Sequence, residues 1–70
     1  MNSSWIQFHI EPSKLALLKF ILEGYDHLAI LTILEPKEAK AQIYFYYTEK
    51  DLIKEILQDF SVQILQECLD

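Results

Sequence analysis

The sequence contains no arginine, and this absence limits the partners that the protein can have. Its six basic side chains are all lysines and stand against eleven acidic residues, which gives a net charge of −5 at pH 7. Nucleic-acid binding depends on clusters of Lys and Arg that neutralise phosphates and release counterions. The sequence therefore predicts no nucleic-acid partner, and the same charge argues against binding to an anionic membrane surface.

Cysteine, glycine and long apolar stretches are also scarce. Cys68 is the single cysteine, so no disulfide can form within the chain, and this usage is typical of a reducing compartment. Gly24 is the single glycine, which excludes a glycine-rich phosphate loop. No apolar stretch reaches the roughly 20 residues of a membrane span, and the N-terminus lacks the features of a signal peptide. We expect a cytoplasmic protein with no membrane partner.

The chain is short but rich in apolar residues. Residues 1–70 are expected to form a single domain, and a core of this size seldom supplies more than about 3–5 kcal/mol of stability. The apolar fraction is nevertheless 51%, a little above the ordinary range. This excess indicates that a neighbouring chain covers part of the surface.

Hydrophobic periodicity predicts three strands and two helices before the last segment. Alternation predicts strands at roughly 4–11, 28–35 and 41–47, and helical spacing predicts a first helix at about 13–23. We expect Thr48 to cap the second helix, with Asp51 reaching back in a weak capping box. Apolar residues sweep over half the circumference of the first helix, so it should contact more than its own sheet.

The last segment, FSVQILQE, fits two interpretations. The alternation of Phe60, Val62 and Ile64 favours a fourth strand, whereas Ile64 and Cys68 also continue the helical stripe of the preceding segment. No glycine or proline separates the two. The strand gives the order βαββαβ, which right-handed crossovers fold as a ferredoxin-like α+β sandwich. Two helices then cover one face of a four-stranded antiparallel sheet, and the first and third strands are central.

Four consecutive aromatics, YFYY at positions 44–47, put aromatic side chains on both faces of the third strand. With Ile6, Phe8 and Ile10 towards the helices, the helix-free face carries Trp5, Gln7, His9, Tyr44 and Tyr46. Covering its three aromatics removes roughly 450–750 Å² from water, and monomers seldom expose apolar patches above a few hundred Å². We expect a homodimer that uses this face, the sheet edge and the first helix. Tyrosines that are merely exposed are the alternative.

The segment EGYDHLA carries the sharpest turn signal. Gly24 is expected to supply a positive φ that ends the helix, and Tyr25 to pack back on it. Asp26 or His27 can bond the backbone of the turn. We interpret these residues as a helix-stop turn, with the rim of a ligand or partner site as the alternative.

Residues that could carry catalysis or hold a metal are scattered. His9, His27 and Cys68 show no CxxC or HxxxH spacing, so no metal site and no cofactor is predicted. Cys68 lies close to the C-terminus, where chains commonly fray. The carboxylates fall near the ends of strands and helices, as solvated charges do, and general acid–base catalysis needs one in a cleft. The sequence predicts that the protein is not an enzyme.

An RNA-binding function is a less favoured alternative. The RNA-recognition fold shares the expected topology and stacks bases on aromatics of its two central strands. Trp5, Tyr44 and Tyr46 imitate that layout. Stacking without electrostatic attraction is weak, however, and the sequence offers no arginine for it.

Residues 18–39, LKFILEGYDHLAILTILEPKEA, resemble a bacterial family of about seventy residues with no assigned function, whose core reads KFILEGYD-x-LA. The expected topology is also similar to ACT domains, which usually dimerise and often bind amino acids at the interface. The resemblance implies a homodimeric, ACT-like binding or regulatory module with a small-molecule ligand such as an amino acid. The loop IEPSKLA lacks the glycine that ACT domains commonly hold there, which counts against that ligand. An adaptor that docks its aromatic face on another protein is the alternative.

Overall fold

The computed structural model describes residues 3–24 and 29–69, whose elements follow the order βαββαβ. The strands are β1 (Ser3–His9), β2 (Ala29–Glu35), β3 (Lys40–Tyr46) and β4 (Gln63–Cys68). The helices are α1 (Pro12–Gly24) and α2 (Lys50–Asp59), and short 3₁₀ turns occupy Pro36–Glu38 and Tyr47–Glu49. The existence of a fourth strand is confirmed, and the alternative of a continued second helix is wrong. The strand begins at Gln63, however, so Phe60 and Val62, whose alternation with Ile64 predicted it, lie before β4.

The strands form one antiparallel sheet in the order β2-β3-β1-β4. The prediction that the first and third strands are central is confirmed, and β2 and β4 are the two edges of the sheet. β2 and β3 form the expected hairpin. The protein is therefore an α+β sandwich with the strand order of a ferredoxin-like fold.

The core lies between the sheet and both helices. Ile6 and Phe8 of β1 and Ile43 and Phe45 of β3 are buried on one sheet face, which we call the inner face. Buried side chains of the helices join them in one cluster: Leu18, Leu22, Ile53, Ile56 and Leu57. Ser4 and Ala41 lie on the same face, opposite Phe45 and Phe8, and are also buried. Because the residues of a strand alternate between its two faces, the remaining residues of β1 and β3 lie on the side away from the helices.

The end of α2 explains why the sequence fitted both a fourth strand and a continued helix in the last segment. The Val62 N–H donates to the Leu57 carbonyl at 3.4 Å, and the Ser61 N–H donates to the Gln58 carbonyl at 3.0 Å. These two bonds form a Schellman motif, in which the residue after the helix takes a left-handed conformation and is usually glycine. Ser61 takes that conformation with φ 54°. The helix thus ends at a serine in the position where a glycine would have indicated the helix end in the sequence.

The start of α2 corrects a prediction. Thr48 lies inside the 3₁₀ turn Tyr47–Glu49, and the residue that precedes the helix is Glu49, whose side chain makes no capping hydrogen bond. The Lys50 N–H already donates to the Tyr47 carbonyl, so the turn satisfies one of the donors that a cap would serve. Asp51 accepts a hydrogen bond of 3.2 Å from Lys50 Nζ, which raises the pKa of Lys50. The predicted Thr48 cap and the Asp51 capping box are wrong.

α1 extends one residue beyond the prediction at each end. Pro12 occupies its first position, where the missing N–H has no helical partner to lose. Gly24 is its last residue and has no positive φ, so the predicted left-handed stop at Gly24 is wrong. Among the described residues that are not glycine, Ala39 and Ser61 have positive φ values.

Candidate functional site

The sheet face that carries no helix is the candidate surface that the sequence predicted. It can be read from the strand register, because residues directly opposite each other in an antiparallel pair share a face. The five predicted binding residues, Trp5, Gln7, His9, Tyr44 and Tyr46, all lie on it. We call this surface the outer face, and its residues form three rows across the strands.

The first row is apolar and aromatic. Tyr44 pairs with Ile30 on one side and with Trp5 on the other, and Trp5 pairs with Cys68. Ile30 is 66% exposed and Tyr44 is 41% exposed, whereas Trp5 is half-buried. Tyr46 lies two residues beyond Tyr44 on the same face and is 55% exposed. These side chains, the aromatic row with Tyr46, are a contiguous apolar surface open to solvent.

The second row is made of amides. Gln7 pairs with Gln42 and with Gln66, and Gln42 pairs with Thr32. Gln7 Nε2 donates to Gln42 Oε1 at 2.7 Å. Gln42 is buried, although no helix covers this face. This amide row therefore gives the outer face an ordered band of uncharged hydrogen-bonding groups beside the aromatic row.

The third row carries the charged side chains of the outer face and His9. Lys40 pairs with Glu35 on one side and with His9 on the other, and His9 pairs with Gln63. His9 Nδ1 lies 2.8 Å from the Glu38 carbonyl oxygen. Because a carbonyl oxygen only accepts, Nδ1 carries the proton, and the other ring nitrogen remains for solvent or a partner. The charged row thus mixes both signs at one end of the face.

Further apolar surface flanks α1. Leu17 and Phe20 of this helix are exposed, as its wide apolar circumference predicted. On its side towards β2, a groove of about 300 Å³ is lined by Pro12, Leu15, Ala16, Lys19, Leu31 and Ile33. The helix therefore leaves apolar side chains uncovered on more than one side.

The predicted turn site is only partly visible. Gly24 is exposed at the end of α1, and an added Cβ at this position would meet no atom within 4 Å. Tyr25, Asp26 and His27 lie outside the described residues. The loop from β1 to α1, where the ACT resemblance implied a ligand, contains only Ile10 and Glu11. The Ile10 N–H already donates to the Ala39 carbonyl at 3.0 Å, so that it is not free for a ligand.

Sequence reasoning missed several residues of the outer face. Gln42 was not singled out, although its position between Ile43 and Ala41 placed it on the same face as Tyr44. Ile30, Thr32, Lys40 and Gln66 were not named either. Alternation alone could have found Gln42 and Lys40. The partners on β2 and β4 required the cross-strand register, which the sequence does not state.

Within residues 3–24 and 29–69, no three side chains of His, Cys, Asp or Glu are grouped so that they could hold a metal ion. In the same part of the chain, neither helix has the length and hydropathy needed to cross a membrane.

Comparison with known proteins identifies a family. A protein-family model described as "Domain of unknown function (DUF4911)" matches residues 8–64. The match covers most of the chain, from the second half of β1 to the start of β4. The predicted resemblance to a family with no assigned function is confirmed. No curated protein and no solved structure matches the chain.

Proposed function

The chain belongs to the DUF4911 family, and we propose that it is a non-catalytic binding module that acts as a homodimer through its outer face. One observation carries the proposal: the aromatic row with Tyr46 lies open to solvent, while both described helices cover the inner face. An isolated domain would leave this surface in water.

The size of the surface supports an interface. Each large aromatic side chain covers about 150–250 Å² when it is fully buried. Tyr44 and Tyr46 are 41% and 55% exposed and Trp5 is half-buried, so only part of that area remains to be covered. Together with Ile30, these side chains supply a part of the roughly 800 Å² that each partner contributes to a standard interface, and their neighbours on the outer face supply the rest. Tyr and Trp are also enriched in the centres of such interfaces.

The chemistry of the three rows supports a second copy as the occupant. When a face meets its own copy, every charge meets charges of the same surface, and like charges in contact oppose association. The aromatic and amide rows carry no charge, and each glutamine side chain offers both a donor and an acceptor. The charged row contains Lys40 and Glu35, which have opposite signs. Self-association through this face therefore brings no block of like charge into contact, although each chain carries a net charge of −5.

The test is a pair of substitutions on the outer face with a matched control. Replacing both Tyr44 and Tyr46 with Ser should halve the mass of the assembly measured by light scattering during size exclusion. The physical reason is that truncating an aromatic residue near the centre of an interface commonly costs more than about 1 kcal/mol. Tyr47→Ser is the control, because Tyr47 is exposed but lies in the turn after β3. It should leave the mass unchanged.

Trp5 provides a second readout, because it is the only tryptophan and lies on the outer face. Its fluorescence emission should shift to the red when the protein is diluted, as the partner leaves and water reaches the ring. A wild-type protein that elutes at the mass of one 8.3 kDa chain at micromolar concentrations would contradict the proposal. A monomer that instead binds an unlike protein through Tyr44 and Tyr46 would identify the adaptor alternative.

The amino-acid ligand suggested by the ACT resemblance is not part of this proposal. The loop that would approach such a ligand is short, and the Ile10 N–H is engaged by Ala39. A thermal-shift screen against amino acids tests this directly, and we expect no stabilisation.

A further inference from the structure

The two edges of the sheet differ in how they are protected against pairing with another strand. An edge strand presents unpaired N–H and C=O groups, and proteins usually guard them with charges, prolines, bulges or short strands. β4 has the sequence QILQEC, includes Glu67, and is interrupted in its middle by a register shift opposite Gln7 and Phe8. β4 is therefore a guarded edge.

β2 has none of these protections over most of its length. Its sequence AILTILE has no proline, lysine or arginine, and its one charge is the terminal Glu35. Its register shift falls between Ile33 and Glu35, so residues 29–33 form a regular strand against β3. In the described chain nothing pairs with the far side of β2. A regular apolar strand with a free edge is suited to accept another strand.

The groove beside β2 fits the side chains of an added strand. Leu31 and Ile33 point to the inner face, and the groove continues from them to Pro12, Leu15, Ala16 and Lys19 of α1. Ile33 is 41% exposed, although it lies on the face that the helices cover. A strand that extends the sheet past β2 would place its own inner-face residues in this groove.

We infer that this edge pairs with β2 of a second copy, antiparallel and centred on Leu31, so that the sheet continues across a twofold axis. In that register Leu31 faces Leu31 of the second copy, Ala29 faces Ile33, and Ile30 faces Thr32. Every contact is between uncharged side chains, and Glu35 and the register shift fall outside the paired region. The pairing is isologous, as a closed dimer requires.

The inference goes beyond the proposed function, because the two interfaces use different groups. The outer-face dimer uses Tyr44, Tyr46 and Trp5, whereas the edge uses the β2 backbone with Leu31 and Ile33. If both form, two twofold contacts combine into four chains, with two continuous sheets packed face to face. Each interface can therefore be removed separately.

The experiment compares two lysine substitutions at opposite edges of the same sheet. Ile33→Lys and Ile64→Lys both change an isoleucine on the inner face of an edge strand, with similar exposures of 41% and 46%. A lysine on an edge opposes strand pairing. Light scattering should give four chains for the wild type and for Ile64→Lys, and two chains for Ile33→Lys. The variant with Tyr44→Ser and Tyr46→Ser should also give two, and its combination with Ile33→Lys should give one.

Hydrogen exchange of the wild type provides a test that does not depend on a variant folding. A peptide covering residues 29–35 should exchange more slowly at high protein concentration than after dilution, because the amides of β2 that face away from β3 pair with the second copy at high concentration. Residues 63–68, which pair with β1 within each chain, should exchange at the same rate at both concentrations. The inference is wrong if folded Ile33→Lys keeps the wild-type mass, or if exchange in 29–35 does not depend on concentration. Loss of mass only with the tyrosine substitutions would overturn the edge pairing and leave the outer-face dimer standing.

Discussion

At the scale of single residues, the most informative side chain is Gln42. It is buried on a face that no helix covers, and its carbonyl oxygen accepts from Gln7 Nε2 at 2.7 Å. A buried polar group is costly when it loses its partner, while replacing both members of a pair with apolar groups can be nearly neutral. The amide pair should therefore behave as a unit.

We predict that Gln7→Leu alone lowers the free energy of unfolding by about 1–3 kcal/mol, because Gln42 is then left without its donor. The double variant Gln7→Leu with Gln42→Leu should be less destabilised than Gln7→Leu. Urea unfolding of the wild type, of Gln7→Leu, of Gln42→Leu and of the double variant, all at one protein concentration, gives the coupling energy as a double-mutant cycle. Gln58 is an exposed residue of α2, so Gln58→Leu is the control and should change the free energy of unfolding little. Additive effects of the two substitutions would contradict the prediction.

At the scale of elements, the ends of α2 carry the clearest energetic consequences. The helix begins after a 3₁₀ turn rather than at a side-chain cap, and it stops at a Schellman motif with Ser61. Thr48 thus contributes no capping hydrogen bond, although its sequence context suggested one.

We predict that Thr48→Ala changes the free energy of unfolding by less than about 0.5 kcal/mol, whereas loss of a true N-cap typically costs about 1 kcal/mol. Leu57→Ala in the same helix is the positive control and should cost about 2–5 kcal/mol, because Leu57 is buried in the core. Chemical denaturation monitored by circular dichroism measures both. A Thr48→Ala cost near that of a lost cap would mean that the hydroxyl supports the helix after all.

The sequence predicted the elements better than their ends. Alternation and helical spacing gave six elements in the right order, and the central position of β1 and β3 followed from topology rules alone. The ends failed where the chain uses unusual residues. Ser61 takes a position typical of glycine, which obscured the end of α2, and Gly24 stays helical, so that α1 ends one residue later than predicted.

The sequence predicted which residues share the outer face but not how they are arranged across the strands. Alternation put Trp5, Gln7, His9, Tyr44 and Tyr46 on one face, and the register confirms that they share it. The same reasoning did not separate aromatic, amide and charged rows, since rows are defined by pairing between strands. Alternation also did not show that β4 is protected against strand pairing and β2 is not. That difference depends on where the register shifts fall in the two edge strands, which is known only once the paired residues are known.

At the scale of the whole molecule, exposed apolar surface coexists with a compact shape. The radius of gyration is 11.0 Å, and a compact domain of this length is expected to have about 11 Å. Ten large hydrophobic side chains are nevertheless exposed among the described residues. The excess surface therefore comes from the number of apolar residues rather than from a loosened fold, and the proposed association would cover part of it.

Association should make thermal stability depend on concentration. Because a partner that binds only the folded state stabilises it by mass action, we predict that the wild-type Tm rises by a few degrees for each tenfold increase in protein concentration. The variant with Tyr44→Ser, Tyr46→Ser and Ile33→Lys should show a constant Tm. Differential scanning calorimetry over a range of concentrations measures both. A wild-type Tm that does not vary would argue for an isolated chain.

One small feature of the hairpin has a consequence for how fast such association can be. The turn between β2 and β3 is held to the end of β1 by two hydrogen bonds, from Ile10 N–H to Ala39 and from His9 Nδ1 to Glu38. α1 begins only two residues after Ile10. The helix that lines the groove and the β2 edge are therefore held in place relative to each other within the single chain. Little conformational entropy is then left to lose on docking. Assembly should be governed by the rate of encounter rather than by rearrangement of either chain.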